Sequence, residues 1–216
     1  MKNLQIKHHL TDSVMLAYSA GSLPEAYSLV VACHVSLCAQ CRSALEGFDA
    51  LGGAVLEQSG KSELSAGALA ATMDLIANGQ EPAQEVSYEK SDFPVPLQKY
   101  VGGGPEKVNW RKIGGGVKQA ILPTAQDANA RLLYIPAGTA VPDHSHGGLE
   151  MTLILQGAFS DEVDRFARGD VEFGDENLTH TPIAEVGVDC ICLAATDAPL
   201  KFSGIVPRLL QPFIKI

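Results

Sequence analysis

Residues 34 to 41 read HVSLCAQC and set His34, Cys38 and Cys41 at positions i, i+4 and i+7. At about 3.6 residues per turn these fall at roughly 0°, 40° and −20° around a helix axis, so the three side chains share one face. One imidazole and two thiols on a common face offer three corners of a tetrahedron, and sulfur with imidazole nitrogen is a donor set that suits zinc. A fourth ligand is then required. The other donors of this kind in the amino-terminal half are His8, His9 and Cys33. Cys33 adjoins His34 and so lies about 100° off the ligand face. His8 and His9 precede the first helical stretch, where a helical hairpin can return either of them, and spacing does not rank an adjacent pair. Two other readings compete: the cysteines simply pack in a core, as free cysteines often do, or Cys-x-x-Cys is a redox pair, although that motif wants a strand before its helix and none is visible.

A second constellation lies in GTAVPDHSHGGLEMTLILQG, residues 138 to 157, with His144, His146 and Glu150, and His180 follows in GDENLTH. Alternate residues of a strand point the same way, so His144 and His146 can meet one ion. Glu150 opens the next apolar strand and His180 arrives from a later one. Three imidazoles and a carboxylate converging inside a barrel suit zinc, iron or manganese, with room for water or a substrate. Cys190 and Cys192 also alternate on a presumed strand, which makes them candidates for redox sensing, although two core cysteines would alternate in the same way and packing is the preferred reading.

These residues must be positioned by two kinds of structure. TDSVMLAYSAG begins with capping residues and carries apolar positions at helical spacing up to Gly21. SLPE then reads as a capping box with Ser22 as N-cap, opening a helix expected to carry HVSLCAQC and to reach the neighbourhood of Leu45 or Ala50. After a glycine-broken turn, SELSAGALAATMDLIANG predicts a further helix. From Gly79 to Lys107 the chain is rich in Pro, Gly and charge and reads as a linker. Beyond it NWRKI, VKQAILP, ARLLYIPAG, EMTLILQGAFSD, DVEFG and CICLAATD are short β-type runs between turn residues, as in a small sandwich or barrel. The expected fold is therefore α+β in two domains: a helical module over 1–85, a linker over 86–107, and an all-β barrel over 108–216.

Composition narrows the function. A net charge of −9 over 216 residues argues against direct nucleic-acid binding, which needs clustered Lys and Arg, and favours basic protein surfaces as partners. No cationic leader opens the sequence and the most apolar stretch, SLVVACHVSLCA, is short and broken by a histidine, so a cytoplasmic protein without membrane contact is expected. The five cysteines are too closely spaced for a disulfide framework, which favours metal ligation or redox chemistry in a reducing compartment.

The second constellation resembles the first cupin motif: Gly138, five residues, His144-x-His146, three residues, Glu150, six residues, Gly157. The second cupin motif is matched at Gly169 and His180, while Asp175 and Asn177 replace its usual Pro and Gly. A helical H-x3-C-x2-C module with an upstream histidine, followed by a cupin, is similar to the ChrR family of zinc anti-sigma factors over nearly the full length. The resemblance implies a zinc site at His9, His34, Cys38 and Cys41 and a second metal, zinc or another divalent ion, at His144, His146, Glu150 and His180 in a jelly-roll cupin. It further implies a helical domain that binds an extracytoplasmic-function sigma factor and keeps it from RNA polymerase, and a cupin needed for the response to singlet oxygen or related oxidants. Ser62 to Ala77, apolar at Leu64, Leu69, Met73, Leu75 and Ile76, is then either a sigma-contacting face or core of the helical bundle. The alternative is an enzyme, since three His and one Glu in a cupin also serve metal dioxygenases and isomerases; such an enzyme has no need of the H-x3-C-x2-C helix.

Overall fold

The computed structural model describes residues 5–79 and 91–204. Thr11 starts the first helix by accepting a hydrogen bond from the Val14 N–H, and α1 (Asp12–Ser19) ends before Gly21 at φ 66°. The next helix, α2 (Glu25–Leu37), has Pro24 rather than Ser22 as its N-cap. Ser22 instead donates to the Ala17 carbonyl and closes α1, so the expected capping box is not formed.

The single long helix expected through HVSLCAQC is two helices. Cys38 adopts extended backbone at φ −105° and ψ 107°, and α3 (Ala39–Glu57) leaves α2 at a bend of 118°. Both ends at this corner are satisfied locally. The Cys38 sulfur accepts from the Cys41 N–H and caps α3, while the carbonyls of Val35 and Cys33 receive the Arg42 guanidinium and the Ser36 hydroxyl. A final helix of this half, α4 (Ala68–Asn78), begins only after Gly67 at φ 88°, and 60–65 are not helical.

Of the stretch expected as linker, 80–90 lie outside the described residues, but 91–107 contain a helix, α5 (Val95–Val101), and a 3-10 turn at Pro105–Lys107. Leu97 is fully buried and α5 packs on α2. The linker reading fails here because Pro94 at the N-cap and Gly102 at the left-handed C-cap, which look like linker residues, bracket this short helix.

Among the described residues twelve strands follow: β1 (Arg111–Gly114), β2 (Val117–Ile121), β3 (Asn129–Ile135), β4 (His144–Ser145), β5 (Glu150–Gln156), β6 (Ala158–Ser160), β7 (Arg165–Ala167), β8 (Val171–Gly174), β9 (Thr179–His180), β10 (Ile183–Ala184), β11 (Cys190–Thr196) and β12 (Lys201–Phe202). One antiparallel sheet runs β1-β2-β3-β11-β5-β8, and two three-stranded sheets, β10-β6-β7 and β12-β4-β9, complete the barrel. The fold class is thus helical followed by all-β, as expected.

The two halves share a core. On β11 every residue is buried because both sheet faces are covered. Ile191, Leu193 and Ala195 face one way and join Leu132 and Leu153 with Leu29, Val30 and Val31 of α2. Cys190 and Cys192 face the other way, into the barrel, with Ile135, Ile154 and Phe159. Each such Leu, Ile or Val removed from water contributes about 1.5–3 kcal/mol, so α2 is held on the sheet by a substantial apolar contact. Polar contacts fix its register: the Tyr27 hydroxyl donates to the Leu149 carbonyl at 2.7 Å, and Glu25 accepts from the Tyr100 hydroxyl and the Ala125 N–H, each at 2.7 Å. Among the described residues no single helix is long and apolar enough to cross a membrane.

Candidate metal centres

The first cluster is assembled at the α2–α3 corner. His34 comes from the last turn of α2, Cys38 from the corner, Cys41 from the first turn of α3, and His9 from the extended segment before α1. One donor atom from each lies within 4.8 Å of all the others. His9 Nδ1 stands 3.4 Å from the Cys38 sulfur and 3.6 Å from the Cys41 sulfur. A tetrahedron with zinc bonds of about 2.3 Å to sulfur and about 2.0–2.1 Å to nitrogen has a sulfur–nitrogen edge of about 3.6 Å, so the spacing fits such an ion. The adjacent His8 turns away, its Nε2 3.5 Å from an Asp164 oxygen and its ring against Phe166. Cys33 is buried in the core beside Leu97, outside the cluster.

His34 Nδ1 lies 2.9 Å from the Gly169 carbonyl, to which it donates, leaving Nε2 as the acceptor nitrogen; that atom is buried without a hydrogen-bond partner. Burial pushes the His34 imidazole down to about 4 and the Cys41 thiol up to about 11. Buried thiols and neutral imidazoles with an orphaned nitrogen are groups that a bound cation would satisfy, since ligation needs thiolate and uncharged imidazole.

The second cluster lies in the barrel. Ring nitrogens of His144, His146 and His180 fall within 4.8 Å of one another. His144 and His180 are direct partners across β4 and β9, with their Nε2 atoms 3.3 Å apart, the edge expected of two imidazoles on one tetrahedral ion at about 2.0–2.1 Å. Both point Nε2 inward because Nδ1 is engaged elsewhere: His144 Nδ1 donates to the Pro142 carbonyl at 2.8 Å, and His180 Nδ1 meets Asp161 at 2.7 Å and Glu172 at 3.2 Å. His146 is buried with both ring nitrogens lacking a hydrogen-bond partner. Glu150, the fourth expected ligand, lies outside this 4.8 Å group but next to His146, one oxygen 3.5 Å from its Nδ1 and the other accepting from the Thr152 hydroxyl.

Burial raises the Glu150 carboxyl, but His146, His144 and the Thr152 hydroxyl outweigh it and leave it below the ordinary value. For His180, burial works against the cation, yet the two carboxylates hold it up at about 9. Asp161 and Glu172 are functional candidates that spacing did not reveal. The one available signal was Glu172 in DVEFG, a carboxylate two residues beyond Asp170 in a strand that is otherwise largely buried.

A cavity of about 310 Å³ opens against this cluster, walled by Leu133, Val141, Phe159, Cys192, Phe202 and the polar side chain of Arg131. Cys190 and Cys192 are no more than 2% exposed, and burial raises both thiols, Cys190 to about 12. Such surroundings disfavour the reactive thiolate, so the redox-sensing role considered for this pair gains no support, and packing accounts for both residues.

A family model described as the ChrR Cupin-like domain matches residues 99–198. The chain is 54% identical over 214 residues to the anti-sigma-E factor ChrR of Cereibacter sphaeroides, covering 99% of this chain and 100% of that protein. It is also similar to the solved structure of Rhodobacter sphaeroides SigE in complex with the anti-sigma ChrR, with a TM-score of 0.80 and 54% identity over 89% of this chain and 100% of that one.

Proposed function

This chain belongs to the ChrR family, and on that premise we propose that it is an anti-sigma factor rather than an enzyme: it binds a sigma factor of the extracytoplasmic-function type and keeps it from RNA polymerase. The observation that carries this reading is α4. None of its residues is buried, and Leu69, Met73, Leu75 and Ile76 are 74%, 56%, 74% and 71% exposed; Leu51, Val55 and Leu56 on α3 and Leu64 on the connecting segment are exposed too. Leu69, Met73 and Ile76, at i, i+4 and i+7, share one helix face, and an exposed apolar face of this kind marks an interaction site. Of the two roles expected for Ser62 to Ala77, bundle core does not fit such exposure, and a partner-contacting face does. A net charge of −9 suits a partner whose surfaces are basic because they meet DNA, and argues against direct nucleic-acid contact.

His9, His34, Cys38 and Cys41 hold zinc, which when bound cross-links three segments at a closed site. The chain's own part is geometric: the arm before α1, the end of α2 and the start of α3 are brought to one point, so the direction in which α3 leaves the body is fixed. That direction sets where the apolar end of α3 lies. In the barrel, His144, His146, Glu150 and His180 hold zinc or another divalent ion suited to imidazole and carboxylate. The cupin half is required for release in response to singlet oxygen or related oxidants, and the protein works in the cytoplasm.

The test is recovery of the tagged full-length chain from its host in unstressed growth, with mass spectrometry of what accompanies it. A sigma factor in near-equal amount is expected; the chain recovered alone, with iron in the cupin and oxygen uptake, would return the enzyme reading.

A further inference from the structure

The two clusters are joined by four consecutive residues at the turn into β8. Gly169 presents its carbonyl to His34 Nδ1 at 2.9 Å. Asp170, 2% exposed, accepts at one oxygen from the N–H groups of Lys7 at 2.6 Å and His8 at 2.9 Å, and at the other from Ala167 at 2.8 Å. Val171 donates its N–H to the His8 carbonyl at 3.2 Å. The arm that ends in His9 is thus held against this edge of the barrel by one backbone hydrogen bond and two bonds to the Asp170 carboxylate. Two residues beyond Asp170, Glu172 reaches His180 Nδ1 at 3.2 Å on the cavity wall.

The segment is stiff. From Val171 to Gly174 it is paired with β5, Val171 opposite Leu153 and Glu172 opposite Thr152, whose hydroxyl donates to Glu150. Gly169 and Asp170, in the turn before β8, are tied to β5 as well: the Gly169 N–H donates to the Ile154 carbonyl at 2.8 Å and the Ile154 N–H to the Asp170 carbonyl at 3.1 Å. The contacts to the two clusters are three residues apart, at most about 10 Å. A shift of the Glu172 backbone toward or away from His180 therefore moves Asp170 and Gly169 with it, or breaks the pairing with β5.

We propose that Gly169–Glu172 is a brace between the two centres: Asp170 and Gly169 are positioning residues for His9 and His34, and occupancy of the barrel centre strengthens metal retention by the cysteine centre through Glu172. The inference rests on the reading of both clusters as metal sites. It gives the barrel a route to the surface that holds the sigma factor, one that runs from His180 through Glu172 and the turn before β8 to His34 and the arm carrying His9. Coupling of this kind is reciprocal, so the cysteine centre also biases the barrel centre.

The test uses the full-length chain loaded with Co²⁺, because only the cysteine centre gives a thiolate-to-cobalt charge-transfer band. Affinity at that centre is read by chelator competition in the unaltered chain, in His144→Ala, in Glu172→Gln and in the double variant. Emptying the barrel centre by His144→Ala is expected to weaken the cysteine centre about tenfold, and the same change in the Glu172→Gln background to have less than about a twofold effect. A second measurement needs no variant: release of thiolate-bound cobalt to excess chelator should be slower with two equivalents bound than with one. Two bound metals with release and affinity indifferent to the barrel centre overturn the coupling alone. A chain that takes up metal only at the cysteines overturns the two-centre reading and the coupling with it.

Discussion

His34 donates through Nδ1 to the carbonyl oxygen of Gly169, 135 residues further along the chain, and so turns Nε2 toward His9, Cys38 and Cys41. One hydrogen bond to the barrel thus selects the tautomer that the helical half needs. The two halves are chemically as well as sterically joined.

Replacing Cys38 and Cys41 by serine removes both sulfur donors while nearly preserving shape. Metal content should fall from about two to about one per chain, and sigma-factor binding should be lost. Elemental analysis and co-elution with the sigma factor check both; retained binding with the metal gone would remove the structural role given to this centre.

On α4, Met73→Asp and Ile76→Asp alter side chains that are 56% and 71% exposed. Stability should stay within about 0.5 kcal/mol of the parent. Sigma-factor affinity should fall by about 2 kcal/mol or more for at least one of the pair, roughly 30-fold. Thermal melting and titration calorimetry separate the two effects.

Leu97→Ala asks whether α5 belongs to the fold. As a fully buried leucine between α2 and its surroundings it should cost about 2–5 kcal/mol in urea unfolding. A cost within about 0.5 kcal/mol is what a linker residue would give.

Glu25 reports the docking of α2. The Tyr100 hydroxyl first, and the Ala125 N–H second, hold its carboxyl below the usual range. Because the folded value is lowered, the stabilisation is fully present above the unfolded value of about 4.3 and is lost as pH falls through the lowered folded value. Urea midpoints measured from neutral to acid pH should show a shallower acid decline for Glu25→Gln than for the parent.

The donors themselves were legible, and much of what holds them was not. His34, Cys38, Cys41, His144, His146 and His180 stand out because their types are rare and their spacings repeat a geometry, and the structure brings each set together. The corner at Cys38 was hidden: i, i+4, i+7 spacing is helical, and no Gly or Pro marks the break, which a cysteine sulfur caps. The strands were readable as short β-type runs between turn residues, but only the structure explains why β11 is buried along its whole length, with α2 on its outer face. Asp161, Glu172 and Asp170 escaped notice because carboxylates are common and their partners are distant in sequence. The Gly169 carbonyl was beyond any side-chain pattern.

The 118° corner also acts as a lever. From Ala39 to Glu57, α3 extends about 28 Å at about 1.5 Å per residue. Rotating it by about 10° about Cys38 would carry Leu56 and its exposed neighbours through about 5 Å, several times the tolerance of a close-packed interface. A displacement of a few tenths of an ångström among the four donors is therefore enough to misalign a surface that a partner must match.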